Sequence, residues 1–371
     1  MPSVLHICTD FWPSTGGIER FVLDLATRSD SIGLTASILC FDRVKSHPGQ
    51  LPRKETVCGI AVTRIPFVDL KFYKPAVLPL QLLRQHDVLH VHGPGALLDF
   101  AVLTKWLHRK PIVLSTHGGL FHTRTLLLVK RIYFFGLQPT LMRFVDAVAA
   151  CSKTDAALFR RIADRVVLVE NAVDTSMYLA LSRDRQRQGR CLYVGRLSDN
   201  KGIPDLLRAF AAAKQRGAVF ELRLVGRDEN GNRARYIELA RTLGIEEWVA
   251  FLGAVDQEGL LREYQCAQVF VSASRYEGFG LSAIEAKAAG CQLVLNANAA
   301  FSDIFSSDKA AILTDFTNAE STAPLLVAVL QGDSTMSNAV RREVEAYSWQ
   351  RKLGEWRSLY MQCVRQRRPA P

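Results

Sequence analysis

Two carboxylates stand eight residues apart in the most specific stretch of this sequence, residues 274–290. Glu277 precedes a predicted helix, and Glu285 falls about one turn inside it, so both could face one ligand held over the helix N-terminus. Gly280 and Leu281 would offer backbone N–H groups there. A carboxylate is a usual acceptor for the vicinal hydroxyls of a ribose, which suits Glu285 and leaves Glu277 for a transferred sugar. A glycosidase pair would need opposite faces of the bond, which one shared loop and helix makes awkward.

Two cations follow an apolar run at residues 191–194. Arg196 lies in the loop after this predicted strand, and Lys201 lies at the start of the next predicted helix. Ligands of open α/β sheets bind at the carboxyl ends of strands, and an arginine with a nearby lysine suits two phosphates that are held and then stabilised as a leaving group. A solvated basic turn is the alternative interpretation.

Paired glycines, Gly16 and Gly17, follow the first predicted strand and open a helix. Backbone N–H groups and the helix dipole could meet a phosphate at that point, and residues without Cβ let the backbone approach it closely. The pair therefore predicts one wall of a diphosphate site. It is not a Gly-x-Gly-x-x-Gly fingerprint, and a plain strand-to-helix turn explains the same residues.

Short apolar, β-branched runs alternate with longer helical patterns, which predicts parallel sheets of βαβ units. The first series lies at residues 4–8, 36–41, 88–91, 112–115, 147–151 and 166–169. A second series lies at 191–194, 221–225, 249–252, 269–272, 292–295 and 311–313. We therefore expect two α/β domains.

The domain boundaries follow from the polar, charge-rich segment 171–189, which we interpret as the interdomain linker. We expect one domain over residues 1–172, a second over 173–350, and a C-terminal helix over 351–371 that packs back on the first. The candidate helix starts near Trp349 and places apolar residues on one face. These residues are Leu353, Trp356, Leu359, Tyr360 and Val364.

Bulk properties narrow the function classes. The chain has 371 residues, a net charge of +11 and eight cysteines without a Cys-x-x-Cys pair, so neither a zinc site nor a disulfide framework is indicated. Up to Glu170 there are 21 Lys and Arg against 13 Asp and Glu, and beyond it 26 against 23. The basic first part fits an anionic partner and a merely soluble basic surface equally well. For a partner, without a nucleic-acid motif, we rank a lipid or phosphorylated substrate above DNA or RNA. We expect no export signal and no membrane span.

The motifs together resemble the large family of retaining nucleotide-sugar glycosyltransferases, family 4 with a group 1 domain. Gly16-Gly17-Ile18-Glu19, Gly195-Arg196-Leu197 with Lys201, and the Glu277 and Glu285 pair carry the resemblance, which spans nearly the whole chain. Residues 170–174 match a linker turn of the family, with Ala172 in place of a glycine. The resemblance implies the GT-B fold: two facing Rossmann-like domains with parallel sheets and an interdomain cleft. It also implies that the first domain binds the acceptor and the second the nucleotide sugar.

Three further segments, 87–93, 103–111 and 115–123, look like the α-mannosyltransferases of xanthan- and acetan-type exopolysaccharide assembly. This narrower resemblance implies GDP-mannose as the donor and a polyprenyl-diphosphate-linked oligosaccharide as the acceptor, at the cytoplasmic face of the cell membrane. The basic first domain would meet acidic headgroups there. We accordingly expect a cytoplasmic, peripheral membrane enzyme that binds no nucleic acid.

The resemblance also assigns residue roles. His117, at the end of a buried-looking strand, is implied to contact the donor sugar near the reacting carbon, with Glu277, Arg196 and Lys201 as its catalytic partners. Base contacts around Val255 would be largely backbone. His90, His92 and His122 stay open between a functional role and the satisfaction of backbone groups. We expect no metal, because the two cations replace one, and no other cofactor.

Residues 125–144 mix apolar side chains with arginines and lysines. A membrane-facing basic helix and a core helix both fit this pattern.

Four alternative functions remain open from the residues. Two of them are enzymes: a UDP-sugar transferase of the same fold, for example a glucosyltransferase, and a sugar-phosphate synthase with a soluble acceptor. A non-catalytic nucleotide-sugar sensor would be expected to have lost one of the site residues. A structural or nucleic-acid-binding protein would explain the charge alone.

Overall fold

The computed structural model divides the chain into two compact units, residues 1–172 with 350–371, and residues 173–349. The described residues are 1–14, 16–44, 47, 49–70, 73–118, 127–182, 188–229, 231–332, 336 and 338–366.

The first unit is an α/β layer structure whose elements we number along the chain. Its strands are β1 Ser3–Ile7, β2 Thr35–Phe41, β3 Lys54–Val57, β4 Ile60–Ile65, β5 Val88–His92, β6 Ile112–Ser115, β7 Ala147–Ala150 and β8 Val166–Leu168. Its α-helices are α1 Gly17–Arg28, α2 Leu80–Gln85, α3 Ala96–Leu103, α4 Lys105–His108, α5 Leu127–Ile132, α6 Gln138–Met142 and α7 Lys153–Phe159.

The eight strands form one sheet in the order β3-β4-β2-β1-β5-β6-β7-β8. The central strands β5, β6 and β7 are buried along their whole length, as parallel strands covered by helices on both faces must be. All six strands that the sequence predicts for this unit are confirmed. The prediction of a parallel sheet is confirmed, with an exception at one edge, where β3 pairs antiparallel with β4 through a two-residue turn at Cys58 and Gly59, both with positive φ.

The second unit repeats this architecture. Its strands are β9 Arg190–Val194, β10 Glu221–Val225, β11 Val249–Gly253, β12 Val269–Ser272, β13 Gln292–Asn296 and β14 Ala311–Thr314. Its α-helices are α8 Thr175–Leu179, α9 Ile203–Gln215, α10 Asn232–Thr242, α11 Gln257–Cys266, α12 Leu281–Ala289, α13 Ala299–Phe305, α14 Ala319–Gln331 and α15 Asn338–Arg342.

Its sheet is wholly parallel among the described strands, in the order β11-β10-β9-β12-β13-β14. All six predicted strands are confirmed here too. The segment interpreted as a linker is only partly irregular: α8 lies inside it and buries Thr175 and Tyr178, while residues 183–187 are outside the described part of the chain.

The last helix, α16 Trp349–Arg365, packs its apolar face against the first unit. Trp356 and Tyr360 are buried, and the Tyr360 hydroxyl lies 2.8 Å from Nδ1 of His90. Arg357 donates to the carbonyl of Ile32. The face differs from the expected one at a single position, since Cys363 is fully buried and Val364 is only partly buried.

Within the described ranges, no helix combines the length and the apolar character needed to cross a bilayer.

Candidate functional site

The sheet of the second unit has a topological switch point between β9 and β12. The chain runs outward from β9 to β10 and β11 and then returns to the other side of β9 at β12. Loops at the carboxyl ends of such strands diverge and leave a crevice for ligands. Arg196 and Lys201 follow β9, and Glu277 follows β12, so the fold brings the predicted cations and one predicted carboxylate to this point.

Lys201 and Glu277 form the central ion pair of this switch point. The Lys201 ammonium lies 2.6 Å from Oε1 of Glu277, and the two side chains are 13% and 14% exposed. An ammonium has three donors. Among the described residues, Lys201 contacts no acceptor except Glu277, which leaves two N–H groups for a ligand.

Gly202 fixes the position of Lys201. Its φ is +65°, and a Cβ at this residue would lie 2.1 Å from the carbonyl oxygen of Ala273, at the end of β12. Only glycine permits so close an approach of two backbones. The loop after β9 is therefore held against the loop after β12, which is what brings Lys201 to Glu277.

Arg196 is held more loosely and by a different carboxylate. Its guanidinium donates to Glu229 at 3.1 Å, and the two side chains are 61% and 39% exposed. Exposed pairs of this kind contribute little free energy, so an anionic ligand could replace Glu229. The Tyr193 hydroxyl donates to the Arg196 carbonyl and fixes the backbone below the side chain. Glu229 has no sequence motif that marks it in advance.

Glu285 is the fifth residue of α12, as the sequence predicts. Its Oε2 accepts a hydrogen bond of 2.7 Å from the hydroxyl of Tyr264, a fully buried residue on α11. Burial raises the Tyr264 pKa well above its usual value, so the phenol stays a donor and orients the carboxylate. Tyr264 could not be predicted from the sequence, because the contact joins two helices.

The N-terminus of α12 has no side-chain cap. Its N-cap residue is Gly280, where φ is +91° and a Cβ would meet the ring of Phe301 at 2.5 Å. Leu281 is the first residue of the helix, and such N-terminal N–H groups favour anions. Val255 is partly exposed in the loop between β11 and α11, at the far side of the sheet from β12.

The predicted glycine pair opens α1 in the first unit. Gly16 is the N-cap, without a side-chain cap, and Gly17 is the first helical residue. A Cβ on Gly17 would meet no described atom within 4 Å, while one on Gly16 would meet only the flexible end of Glu19. Packing therefore does not demand glycine at Gly17, and the space above the helix N-terminus is open within the described residues.

His117 lies just beyond β6 in an unusual backbone conformation. Its φ is +46°, a region that side chains other than glycine enter rarely and mainly at functional sites. The neighbours on both sides are tied to one buried carboxylate: Asp155 accepts from the Thr116 hydroxyl at 2.5 Å and from the Gly118 N–H at 2.9 Å. Burial lowers the His117 pKa to about 4, so its imidazole is neutral at pH 7.

A group of buried histidines lies behind His117. His92 Nδ1 lies 3.0 Å from His117 Nε2, and His92 Nε2 lies 3.0 Å from His6 Nδ1. His90 lies beside them, with Nε2 at 2.7 Å from the Ser115 hydroxyl. His90 and His92 thus bond to side chains, so the suggestion that they satisfy backbone groups is wrong. His122 is outside the described residues.

The sequence shows no histidine cluster, because strand register creates it. His6 is the register partner of His90, although 84 residues separate them. Nitrogens of His6, His90 and His92 all lie within 4.8 Å of one another, close enough to be considered as metal ligands.

Comparison with known proteins identifies the two parts of the chain. Residues 15–177 match the family model Glycosyltransferase Family 4, and residues 182–345 match Glycosyl transferases group 1.

Two curated relatives are similar over nearly the whole chain. The GDP-mannose:cellobiosyl-diphosphopolyprenol alpha-mannosyltransferase of Komagataeibacter xylinus is 33% identical and covers 97% of this chain and 93% of its own. The enzyme of the same name from Xanthomonas campestris is 32% identical and covers 95% of each chain.

Solved structures share the fold at lower identity. Sucrose-phosphate synthase from Thermosynechococcus elongatus superposes with a TM-score of 0.74 at 20% identity, over 99% of this chain and all of its own. Anabaena HepE in complex with UDP and glucose superposes with a TM-score of 0.72 at 16% identity, over 97% and 99%. With two family models and near full-length relatives in agreement, the chain belongs to the family 4 glycosyltransferases that carry a group 1 domain.

Proposed function

We propose that this glycosyltransferase moves mannose from GDP-mannose, with retention of configuration, onto a polyprenyl-diphosphate-linked oligosaccharide in exopolysaccharide synthesis. The observation that carries the proposal is the Lys201–Glu277 pair at the switch point of a group 1 domain. The relatives named for GDP-mannose and cellobiosyl-diphosphopolyprenol support the donor and the acceptor.

The diphosphate would bind Lys201 and Arg196. Lys201 keeps its contact with Glu277 and directs its remaining donors to phosphate oxygens, while Arg196 leaves the exposed Glu229 for the phosphates. Negative charge on the diphosphate grows as the bond to the sugar breaks, so both cations stabilise the departing group more than the bound donor. This charge makes a metal ion unnecessary, and we propose that the reaction needs none.

Retention requires attack on the face from which the diphosphate leaves. By family analogy, a phosphate oxygen accepts the proton of the acceptor hydroxyl, and no side chain forms a covalent intermediate. Glu277 accepts hydrogen bonds from sugar hydroxyls in this scheme, because the ion pair with Lys201 holds its carboxylate in place.

The rest of the nucleotide follows α12. Glu285, oriented by Tyr264, would accept from the ribose hydroxyls, and the N–H groups near Gly280 and Leu281 would face phosphate oxygens. Backbone groups near Val255 would meet the base. We assign nucleotide-sugar binding to residues 173–350.

The first domain, residues 1–172 with the helix over 351–371, would bind the acceptor. His117 would contact the donor sugar as a neutral group. The open N-terminus of α1 at Gly16 and Gly17 would form a wall of the diphosphate site.

A patch of the first unit would place the enzyme on the inner, cytoplasmic face of the cell membrane. Between α5 and β7 lie exposed apolar side chains: Leu128, Val129, Ile132, Phe135, Leu137 and Phe144. Arg131 and Arg143 are exposed among them, and Arg161 lies over the Phe135 ring. The opposite side, with Phe134 and Leu141, is buried, so this segment serves both the core and a surface. Apolar and basic residues together suit an anionic bilayer.

A transfer assay tests the proposal. Purified protein is mixed with GDP-mannose or a UDP-hexose and with cellobiosyl-diphosphopolyprenol, in the presence of EDTA. We expect a mannosylated lipid with the α configuration by NMR, formed only from GDP-mannose. Transfer from the UDP-hexose alone would replace the donor assignment, and dependence on added Mg²⁺ would contradict metal independence. Inactivity with lipid acceptors together with activity on a free sugar phosphate would contradict the acceptor.

A further inference from the structure

Four histidines of the first unit, His6, His90 and His92 buried and His117 partly buried, form two separate hydrogen-bonded lines. One runs from His6 through His92 to His117, with nitrogen–nitrogen distances of 3.0 Å at both links. The other runs from Tyr360 through His90 to Ser115. Only the first line ends in the loop that carries the strained His117.

The fold builds the first line from three adjacent strands. His6 lies on β1, and His92 is the last residue of β5, opposite Ser115 in the β5–β6 register. His117 lies two residues after Ser115, the last residue of β6, where Asp155 fixes the backbone. Phe21 lies beside the line, with its ring centroid 5.1 Å from that of His117 in an edge-on arrangement.

All members of this line are neutral at pH 7. Burial lowers the pKa of His6 to about 3 and that of His117 to about 4, and it holds the pKa of His92 well below its usual value. A neutral imidazole has one N–H donor and one acceptor nitrogen. Hydrogen bonds along the line must therefore all point in one direction.

The buried end of the line decides that direction. His6 Nε2 is buried and has no hydrogen-bond partner among the described residues. A proton on this nitrogen would be an orphaned buried donor, and such donors are rarer in proteins than unsatisfied acceptors. The proton of His6 therefore belongs on Nδ1, which donates to His92 Nε2. His92 then carries its proton on Nδ1 and donates to His117 Nε2.

We propose that His6 and His92 are positioning residues that hold His117 as its Nδ1–H tautomer, so that it presents a hydrogen-bond donor to an oxygen of the transferred sugar. Among the described residues, His117 Nδ1 makes no hydrogen bond, which leaves this donor for a ligand. The sugar contact rests on the proposed function; the tautomer rests on the line itself.

A metal ion is the competing occupant of this region, since His6, His90 and His92 each offer a nearby nitrogen. Both nitrogens of His90 and both of His92 are already engaged, by Tyr360 and Ser115 and by the two other histidines. Metal binding would break these hydrogen bonds, whereas a line of neutral imidazoles keeps them all.

Nitrogen NMR of the ligand-free protein, labelled with ¹⁵N-histidine, tests the tautomer without substrate. Signals are assigned with single-histidine variants. We expect the proton of His117 on Nδ1 and the proton of His92 on Nδ1. A proton on Nε2 of His117, or a charged imidazole at pH 7, would overturn the proposal. Zinc or another metal in stoichiometric amount in the purified protein would also overturn it.

Variants of His92 test the effect on catalysis. An asparagine side chain keeps a donor close to the place of Nδ1, whereas leucine has none. We expect His92→Leu to lower kcat by about 10- to 100-fold, as loss of one such hydrogen bond would. His92→Asn should restore at least half of that loss on a logarithmic scale and keep the His117 tautomer. Equal losses in both folded variants would contradict positioning through the donor.

Tyr360→Phe is the matched control, because it removes a buried hydrogen bond from His90 and leaves the first line intact. It should leave the His117 tautomer unchanged. It should change kcat by no more than about twofold, a factor that corresponds to a few tenths of a kcal/mol. A changed tautomer in Tyr360→Phe would show that the two lines are one network and overturn the proposal. If His117 has the expected tautomer and no mannose is transferred, the proposed function fails and the positioning of His117 stands.

Discussion

The two units contain candidate site residues of opposite character. At the switch point of the second unit, Lys201 and Arg196 are charged and each faces a carboxylate. At the end of β6 in the first unit, His117 is neutral and bonded to another neutral imidazole. Charged side chains of the second unit suit the binding of a diphosphate. A neutral imidazole in the first unit suits hydrogen bonding to a sugar.

The two groups of residues also differ in burial, which explains why one is charged and the other neutral. Arg196, in the loop after β9, is largely exposed, so its charge stays solvated beside Glu229. His92 packs beside Phe21, His90 beside Trp356, and buried His6 against both imidazoles, so an imidazolium there would lose its hydration without a counter-ion. Substitutions in both units test this contrast.

Removal of the Lys201 ammonium should have the largest effect. We expect Lys201→Ala to lower kcat by about 100- to 1,000-fold, the range for loss of one donor to developing charge, with a smaller change in donor KM. Steady-state kinetics with GDP-mannose measure both. Lys214→Ala is the control, since among the residues that the structure describes this lysine of the same unit bonds only the Gly244 carbonyl and lies over Trp248. An unchanged rate would remove Lys201 from the mechanism.

Loss of the Glu285 charge should affect the nucleotide rather than the acceptor. We expect Glu285→Gln to weaken GDP binding by about 10- to 100-fold, the value of a hydrogen bond to a charged group, and to leave acceptor KM within about threefold. Tyr264→Phe should give a smaller loss, because it frees the carboxylate without removing it. Calorimetry measures GDP binding, and acceptor titrations measure acceptor KM. Equal effects on both ligands would contradict the ribose assignment.

The buried imidazoles should make the first unit sensitive to acid. Because the folded pKa of His6 and of His117 is lowered, the unfolded chain binds more protons between about pH 6.5 and pH 4. Their stabilising contribution is fully present above pH 6.5 and is lost as the pH falls towards 4. Each group contributes up to about 1.4 kcal/mol per pH unit.

We therefore expect calorimetric unfolding of His6→Phe to depend less steeply on pH between 6.5 and 4 than that of the wild type. Cys191→Ser, which replaces a buried thiol in the second unit, should keep the wild-type slope. Parallel pH dependence in wild type and His6→Phe would mean that His6 is charged in the folded protein.

Membrane binding should show the smallest effect per residue. We expect Ile132→Ser to weaken binding to vesicles with 30% anionic lipid by about fivefold, the loss of about 1 kcal/mol from one partly inserted side chain. Val219→Ser removes an equally exposed apolar residue from the second unit and should bind as the wild type does. Co-sedimentation measures both, and equal binding of all three proteins would exclude the patch.

Most of the fold could be predicted because buried parallel strands are continuous apolar runs. All twelve predicted strands are present, with ends that differ by one residue at most. The two strands that were missed, β3 and β4, form an edge hairpin whose outer strand, Lys54–Val57, is short and polar. Such a strand has no apolar pattern, and its pairing follows from the turn at Cys58 and Gly59.

In the candidate site, too, local patterns could be predicted and long-range contacts could not. Lys201 and Glu277 lie in the loops after two strands and Glu285 lies one turn inside a helix, in the sequence patterns and in the structure alike. Tyr264 and Glu229 act across elements distant in sequence. The histidine line depends on the register of β1, β5 and β6, which no spacing within the sequence reveals. The roles of all these residues remain predictions.

We propose that guanosine diphosphate binds at the switch point of the second unit. Isothermal titration calorimetry with GDP and with UDP, both in the presence of EDTA, is the most direct test. We predict tighter binding of GDP than of UDP in the wild type, and loss of that binding in Arg196→Ala and Lys201→Ala. Preference for UDP would contradict the mannosyl donor, and binding of neither nucleotide, or unchanged binding in both variants, would contradict the site itself.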